Sequence, residues 1–494
     1  MKTRLYFLII FLFTSVGSLT LSAQEQLGED IDGEMAHDNA GYSISLSANG
    51  QKVAVGASGN DDNGNEAGQV RVFEWNGIGW SQVGEDIDGE EDFDNAGRGV
   101  SLSPDGLRVA VGAYLSDLGG SIYGAGLVRV YEWDGTQWSK LGEDIEGKGV
   151  ADWTGLGESL SITGNRVAVG SAGNGNQAGY VRVFDWNGTE WLQVGEDING
   201  EEIGDALGRS VSLSNDGDRM AIGAPSNSGN GFQAGHVRVY EWDGTDWAQM
   251  GEDIDGETAG DVSGGSVSLS DEGHRVAIGA RFNDGNGDRS GHVRVYEWDA
   301  GEWIQVGEDI DGIGPNAWSG QSVALSSNGD VVVIGGHTST VASFNPGHVL
   351  IYIWNGTDWV QHGEEIEGEG PIDWSGSSVS ISSDGQIVAI GAYRNDGNGQ
   401  DAGHVRVFDL SNITSTTLIR KENIVVFPNP TTGKIKLTGI TSSARITAMD
   451  SLGKVVIERS NMGQELDLSS LPAGIYYLQI NTERGLLFSK ILKL

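Results

Sequence analysis

Apolar and polar positions alternate in short bursts between residues 26 and 410, and the bursts recur in a fixed order. In the copy that begins at Gly251, four runs are rich in Val, Ile, aromatic residues and Ser: Ser266–Ser270, Arg275–Ala280, His292–Trp298 and Trp303–Ile310. Alternation of this kind, bounded by Gly, Asn and Asp, predicts four β-strands. A Gly-Glu-Asp or Gly-Glu-Glu opens each copy at Gly28, Gly84, Gly142, Gly195, Gly251, Gly307 and Gly363, with spacings of 56, 58, 53, 56, 56 and 56 residues. A period of this length marks repeated units that bury their faces only against one another.

The turns agree with the strands. After the first strand stands Asn49-Gly50, Asp105-Gly106, Gly164-Asn165, Asp216-Gly217, Glu272-Gly273, Asn328-Gly329 or Asp384-Gly385, pairs that tolerate the positive φ of a short hairpin. After the third comes a Trp hairpin, Trp75/Trp80, Trp133/Trp138, Trp186/Trp191, Trp242/Trp247, Trp298/Trp303 and Trp354/Trp359, which takes twelve of the fifteen tryptophans. A side chain repeated so strictly is expected to fill the same gap between neighbouring units each time.

Four antiparallel strands repeated seven times predict an all-β chain whose main part is a seven-bladed β-propeller. The seventh copy stops after its third strand, Val405–Leu410, while residues 26–31 (QLGEDI) are a fourth strand with no first three before it. Joining the two closes the ring. An open solenoid is the alternative, but it would carry distinct caps at both ends.

Composition then narrows the function. Seventy Asp and Glu against thirty Lys and Arg leave a net charge of −40, which disfavours nucleic acid and anionic membranes and favours cations, basic surfaces or neutral ligands such as glycans. The absence of cysteine excludes disulfides, thiolate metal sites and cysteine nucleophiles. Lys2 and Arg4, the apolar run Leu5–Phe13 and small residues ending at Ala23 make residues 1–23 a signal peptide and too short an apolar run to span a bilayer. No later segment is apolar enough for a membrane span. Residues 24–410 form the propeller, 411–420 a Ser/Thr-rich linker, and 421–494 a smaller β domain of about seven short strands, with nine Lys/Arg against six Asp/Glu, a pattern that fits an immunoglobulin-like β-sandwich.

Two resemblances follow from particular phrases. Val426-Phe-Pro-Asn-Pro-Thr-Thr-Gly433, Asp450-Ser-Leu-Gly-Lys454, Leu468-Ser-Ser-Leu-Pro-Ala-Gly-Ile-Tyr-Tyr477 and the final Lys490-Ile-Leu-Lys-Leu resemble the type A C-terminal sorting domain of the type IX secretion system. That resemblance implies contact with the secretion machinery, passage through the outer membrane, removal of the domain, and release or attachment at the cell surface. Gly208-Arg-Ser-Val-Ser-Leu-Ser214, Arg219-Met-Ala-Ile-Gly-Ala-Pro225 and Gly235-His-Val-Arg-Val-Tyr240 resemble the FG-GAP repeat of integrin α-subunit propellers and their bacterial relatives. The acidic calcium loop of integrins has no counterpart, because the turn between strands one and two is a tight hairpin in every copy.

In an antiparallel meander the loops between strands two and three emerge on the same face as the Gly-Glu-Asp connectors, and loops on a rigid frame are the usual place for binding residues. Asp61, Asn63 and Asn65, then Asp284, Asn286 and Asp288, then Asp396 and Asn398 alternate oxygen side chains with glycine, which suits a hard cation such as Ca²⁺ and equally suits plain turns. Trp153, Trp318 and Trp374 stand just before strand one, outside the Trp hairpin, with Phe93 nearby in another copy. They suit either stacking on a ligand or packing between blades. His236, His292, His348 and His404 share one repeat position on strand three, which reads as framework and not as a shared metal site. No nucleophile elbow, metalloprotease helix or phosphate loop is present. The expected function is a non-catalytic, secreted or surface-displayed binding or adhesion module for an extracellular protein or glycan. A lectin-like propeller is the first alternative and an extracellular hydrolase or lyase the second.

Overall fold

The computed structural model describes residues 24–156, 160–173, 178–337, 345–411, 425–427, 431, 433–438, 445–450, 454–460, 465–482 and 485–493. The predicted signal peptide and nearly all of the predicted linker lie outside them.

Each repeat folds as one blade, a meander whose first strand is innermost. Blade 5 shows the pattern: Ser266–Leu269, Arg275–Ala280, His292–Asp299 and Glu302–Gln305 pair in that order, and Ile310–Asp311 pairs again with the third strand. The run Trp303–Ile310, expected as one strand, is therefore two. Gly307 divides it, with φ +77 and its α-carbon against Trp354 and Trp359 of the next blade, where an added Cβ would lie 2.8 Å from the Trp354 ring. A left-handed backbone under an indole ring leaves room for glycine alone.

The ring closes as the ends of the repeat series require. Glu25–Gln26 and Ile31–Asp32 pair antiparallel with His404–Asp409, whose blade otherwise holds Ser378–Ile381 and Ile387–Ala392. The seven sheets are thereby equivalent. The apolar core is divided among the seams between blades: Val237 and Val239 of blade 4 pack with Val267, Leu269, Val276 and Ile278 of blade 5, and at the closure Ile31, Val405 and Val407 pack with Ala40, Ile44, Val53 and Val55.

Two further devices hold neighbours together. The second Trp of each hairpin donates its indole N–H to a backbone carbonyl one blade back, as in Trp80 to Leu27 at 2.9 Å, Trp138 to Val83 at 2.8 Å and Trp359 to Val306 at 2.8 Å. On the inner edge, strand-one serines satisfy amides of the neighbouring first strand: Ser43 Oγ accepts from Val100, Ser45 from Leu102, Ser212 from Leu269 and Ser268 from Leu325, at 2.9–3.0 Å. An unpaired strand edge is thus paired by side chains, not by another strand.

The C-terminal segment forms a three-stranded sheet (Val425–Phe427, Lys434–Thr438, Glu465–Asp467) and a four-stranded sheet (Val455–Ser460, Arg445–Asp450, Gly474–Thr482, Gly485–Lys493), with Ile435, Leu466, Leu468 and Leu478 buried. The expected small β domain is present. Among the described residues no helix is long and apolar enough to cross a membrane.

Candidate ligand-binding site at the channel mouth

The first strands surround a central cavity of about 250 Å³, whose wall includes Tyr42, Arg209, Arg281, Gln321, His337 and Tyr393. Two repeat positions build its mouth. One follows the connector glycine and carries Tyr42, Arg98, Leu156, Arg209, Gly265, Gln321 and Ser377 in the seven copies; the other follows the Gly-Ala of strand two and carries Ser58, Tyr114, Ala172, Pro225, Arg281, His337 and Tyr393. The strands are nearly identical from copy to copy, whereas no two blades carry the same pair of residues at these positions.

The rings at the mouth touch in sequence around an arc of the propeller. Phe282 meets Trp318 at 5.2 Å between centroids, Trp318 meets His337 at 5.4 Å, and His337 stacks on Trp374 at 4.9 Å with the planes 8° apart. Trp374 meets Tyr393 at 5.4 Å, and Tyr393 meets Tyr42 at 4.6 Å. Guanidinium groups lie on the arc: Arg98 sits 3.7 Å over Tyr42, Arg394 sits 4.0 Å over Trp374, and Arg281 sits 4.9 Å over Phe282 and donates to Gln321 at 3.2 Å. Among the described residues, no carboxylate lies within 4.0 Å of the Arg98, Arg209 or Arg394 guanidinium. In a chain with 70 acidic residues, arginines resting on aromatic faces keep their charge for something else. The Arg98 Nε and the Trp318 indole nitrogen are buried and have no hydrogen-bond partner.

Of the three tryptophans singled out from the sequence, Trp318 and Trp374 belong to this arc and Trp153 does not: it lies over Gly124 of blade 2. All three have left-handed backbones, with φ of 55, 55 and 56°. A bulky side chain held there is strained, and such strain persists only where the surroundings impose it. Phe93, also left-handed at φ 66°, is 53% exposed and outside the arc.

His337 is the most perturbed base at the mouth. Burial first, and then the charges of Arg281, His348 and Arg394, hold its pKa down to about 3 from 6.5. The folded group stays neutral while an unfolded one takes up a proton below pH 6.5, so stability is full above that pH and falls as pH drops toward 3. The slope is about 1.4 kcal/mol per unit, or about 2 kcal/mol at pH 5. His337→Gln is expected to narrow the difference in unfolding free energy between pH 7 and pH 5, read from denaturant titrations, by that amount.

The loops proposed from sequence as cation sites are tied into the frame. Asp61 Oδ1 accepts from the Glu66 amide, Asp284 from Arg289 and Asp396 from Asp401, at 2.7–2.8 Å. Asn63, Asn286 and Asn398 donate their amides to the Gly89, Gly312 and Gly33 carbonyls of the adjacent connectors at 2.7 Å each. Asn65 donates its backbone amide to Asp92, and the Asp288 carbonyl accepts from the Asn316 amide. A cation at these loops would compete with backbone donors for the Asp oxygens. Among the described residues, no group of three or more His, Cys, Asp or Glu includes Asp61, Asp284, Asp288 or Asp396, although the exposed Glu34, Asp62 and Asp86 gather beside the first of these loops.

Two family models match the chain: the secretion system C-terminal sorting domain over residues 425–493, and the FG-GAP repeat over residues 370–408, the last blade. The chain is a seven-bladed β-propeller with an FG-GAP repeat in its last blade and a secretion sorting domain. The sorting domain makes the propeller cargo of type IX secretion, exported to the cell surface or the extracellular space. No curated protein sequence matches it. Similar solved structures include Sqt1 from Chaetomium thermophilum, with 17% identity over 78% of this chain and 85% of that one at TM-score 0.47. Another is PorZ, a surface component of the type IX secretion system of Porphyromonas gingivalis, with 10% identity over 93% and 60% at 0.43. A candidate 6-phosphogluconolactonase from Bacteroides uniformis aligns with 11% identity over 67% and 87% at 0.45. No function follows from likenesses this distant.

The arginines, His337 and the tyrosines of the mouth were missed by sequence reasoning. The signal that could have found them was divergence between copies at two positions of an otherwise regular repeat.

Proposed function

We propose that the exported propeller is a non-catalytic recognition module that binds an acidic saccharide at the channel mouth. The observation that carries this is the set of arginines seated on aromatic rings without carboxylate partners, in a chain of net charge −40. Flat apolar rings suit the faces of a sugar, and guanidinium groups suit a carboxylate or sulfate in bidentate geometry. The acidic connectors around the mouth repel long polyanions while a short anionic segment meets only the centre. This unites the binding-module and lectin-like expectations in one site.

The test is calorimetric titration of the full chain with oligogalacturonate and with a neutral oligosaccharide of equal length. The acidic ligand is expected to bind, and Arg394→Ala and Trp374→Ala are each expected to weaken it at least about tenfold, the effect of losing about 1.4 kcal/mol. Equal affinity for the neutral ligand, or an unchanged affinity in Arg394→Ala, would overturn the proposal. Turnover of the ligand would move the function to the extracellular hydrolase or lyase alternative.

A further inference from the structure

The four strand-three histidines do not stand alone. At three seams the imidazole faces carboxylates from two successive connectors: Glu257, His292 and Asp309; Glu201, His236 and Asp253; Asp30, Glu369 and His404, with one ligand atom of each residue within 4.8 Å of the others. His292 Nδ1 lies 3.6 Å from Asp309 and 3.8 Å from Glu257, and the Nδ1 to Asp separation is 3.3 Å at His236 and 3.4 Å at His404. Each of the three histidines is 1% exposed. Neither ring nitrogen of His292 has a hydrogen-bond partner.

Each aspartate is also aimed. Gln305 donates to Asp309 Oδ1 at 2.7 Å, Gln249 to Asp253 Oδ1 at 2.7 Å and Gln26 to Asp30 Oδ1 at 2.6 Å, which leaves Oδ2 toward the imidazole. An outer partner that fixes a carboxylate in this way is what metal sites use to hold their ligands.

The other seams show what the cluster lacks. Where Leu127 replaces the histidine, Arg129 takes both carboxylates, Glu90 at 2.9 Å and Asp144 at 3.2 Å. In blade 3, Tyr180 replaces it and Lys148 stands in the glutamate position, paired with Asp197. Where the histidine is present, the equivalent arginine stands off: Arg294 is 3.8 Å from Glu257, Arg238 is 4.0 Å from Glu201 and Arg406 is 3.7 Å from Glu369. Their Nε atoms have no partner. The seams of His236, His292 and His404 therefore hold two carboxylates with the arginine at 3.7–4.0 Å, whereas at His348 the glutamate and arginine positions are Ile313 and Leu350.

We propose that Glu257, His292 and Asp309 bind a divalent transition ion of the zinc class, and that the Glu201, His236, Asp253 and Asp30, Glu369, His404 seams repeat the site. Bonds of roughly 2.0–2.2 Å at a tetrahedral centre set ligand atoms about 3.4 Å apart, close to the 3.3–3.6 Å from each imidazole Nδ1 to its aspartate, with the glutamate oxygens within 4.8 Å. An imidazole nitrogen with two carboxylates suits zinc, cobalt or nickel, whereas calcium takes six to eight oxygens. The ions would fasten neighbouring blades, independently of whatever binds at the mouth.

The test uses the full chain, stripped with chelator and titrated with Zn²⁺ and with Co²⁺. A stoichiometry near three, a rise in the unfolding midpoint and visible Co²⁺ absorption bands are expected. His292→Gln places at this position the residue that blade 1 carries as Gln69, which is fully buried there, and is expected to remove one equivalent. The triple variant His236→Gln, His292→Gln, His404→Gln is expected to remove all three while keeping the β-sheet circular dichroism. Absence of saturable uptake, unchanged stoichiometry in the triple variant, or an equal response to Ca²⁺ would each overturn the proposal.

Discussion

Removal of residues 24–32 is expected to lower the unfolding midpoint of the propeller by about 10 °C or more and to broaden the transition, because it opens the ring. The deleted segment supplies the pairing of Glu25 with Asp409 and Ile31 with Val405, and the backbone bond of Leu27 to Val407 at 2.7 Å. It also uncovers Val405 and Val407, which are 0% and 1% exposed, and removes Ile31, which is 4% exposed. Burial of one such aliphatic side chain contributes about 1.5–3 kcal/mol, and a loss of several kcal/mol moves the midpoint of a large domain by a few degrees for each. Ile31→Ala in the intact chain isolates the packing part, with an expected cost of about 2–5 kcal/mol. Differential scanning calorimetry checks both. A deletion that melts like the intact chain would mean that blade 7 does not need its outer strands.

The second large effect is expected at Trp247, the most buried of the second hairpin tryptophans. It is 8% exposed, packs with Met220, Tyr240 and Trp242 at the seam of blades 3 and 4, and donates to the Val194 carbonyl at 3.2 Å. Trp247→Ala should cost about 3–5 kcal/mol, the range for an emptied aromatic site. Trp247→Phe keeps most of the volume, loses the N–H, and should cost less. The Val194 carbonyl then remains without its donor, which adds about 1–3 kcal/mol if water does not reach it. Guanidinium midpoints for the two variants separate volume from hydrogen bond. Gly195, whose added Cβ would meet Trp247 at 2.9 Å with φ +76, marks the same contact from the other blade.

Strand identities and blade number were readable because each strand alternates within a repeat of constant length, and local pattern is what selects a pleated strand. The break in strand four was not, since Gln-Val-Gly-Glu-Asp-Ile reads as one run until the next blade places Trp354 and Trp359 over Gly307. The histidines were visible as one repeat position, yet their carboxylates come from a connector 17 residues on and from another 35 residues back, as at His292, Asp309 and Glu257. Trp318 and Trp374 were singled out for standing outside the regular hairpins, whereas Trp153 has the same sequence signal and lies away from the arc.

The sequence by itself determined the repeat, its strands, the completion of the seventh blade by the first residues, and the sorting domain, because each is written in local alternation or in a contiguous phrase. Only the tertiary structure decided which side chains share the mouth. Closing seven blades into a ring brings Tyr42 of the first against Tyr393 of the last, and contact between residues so distant in the chain is set by the ring's curvature, not by any neighbouring residue.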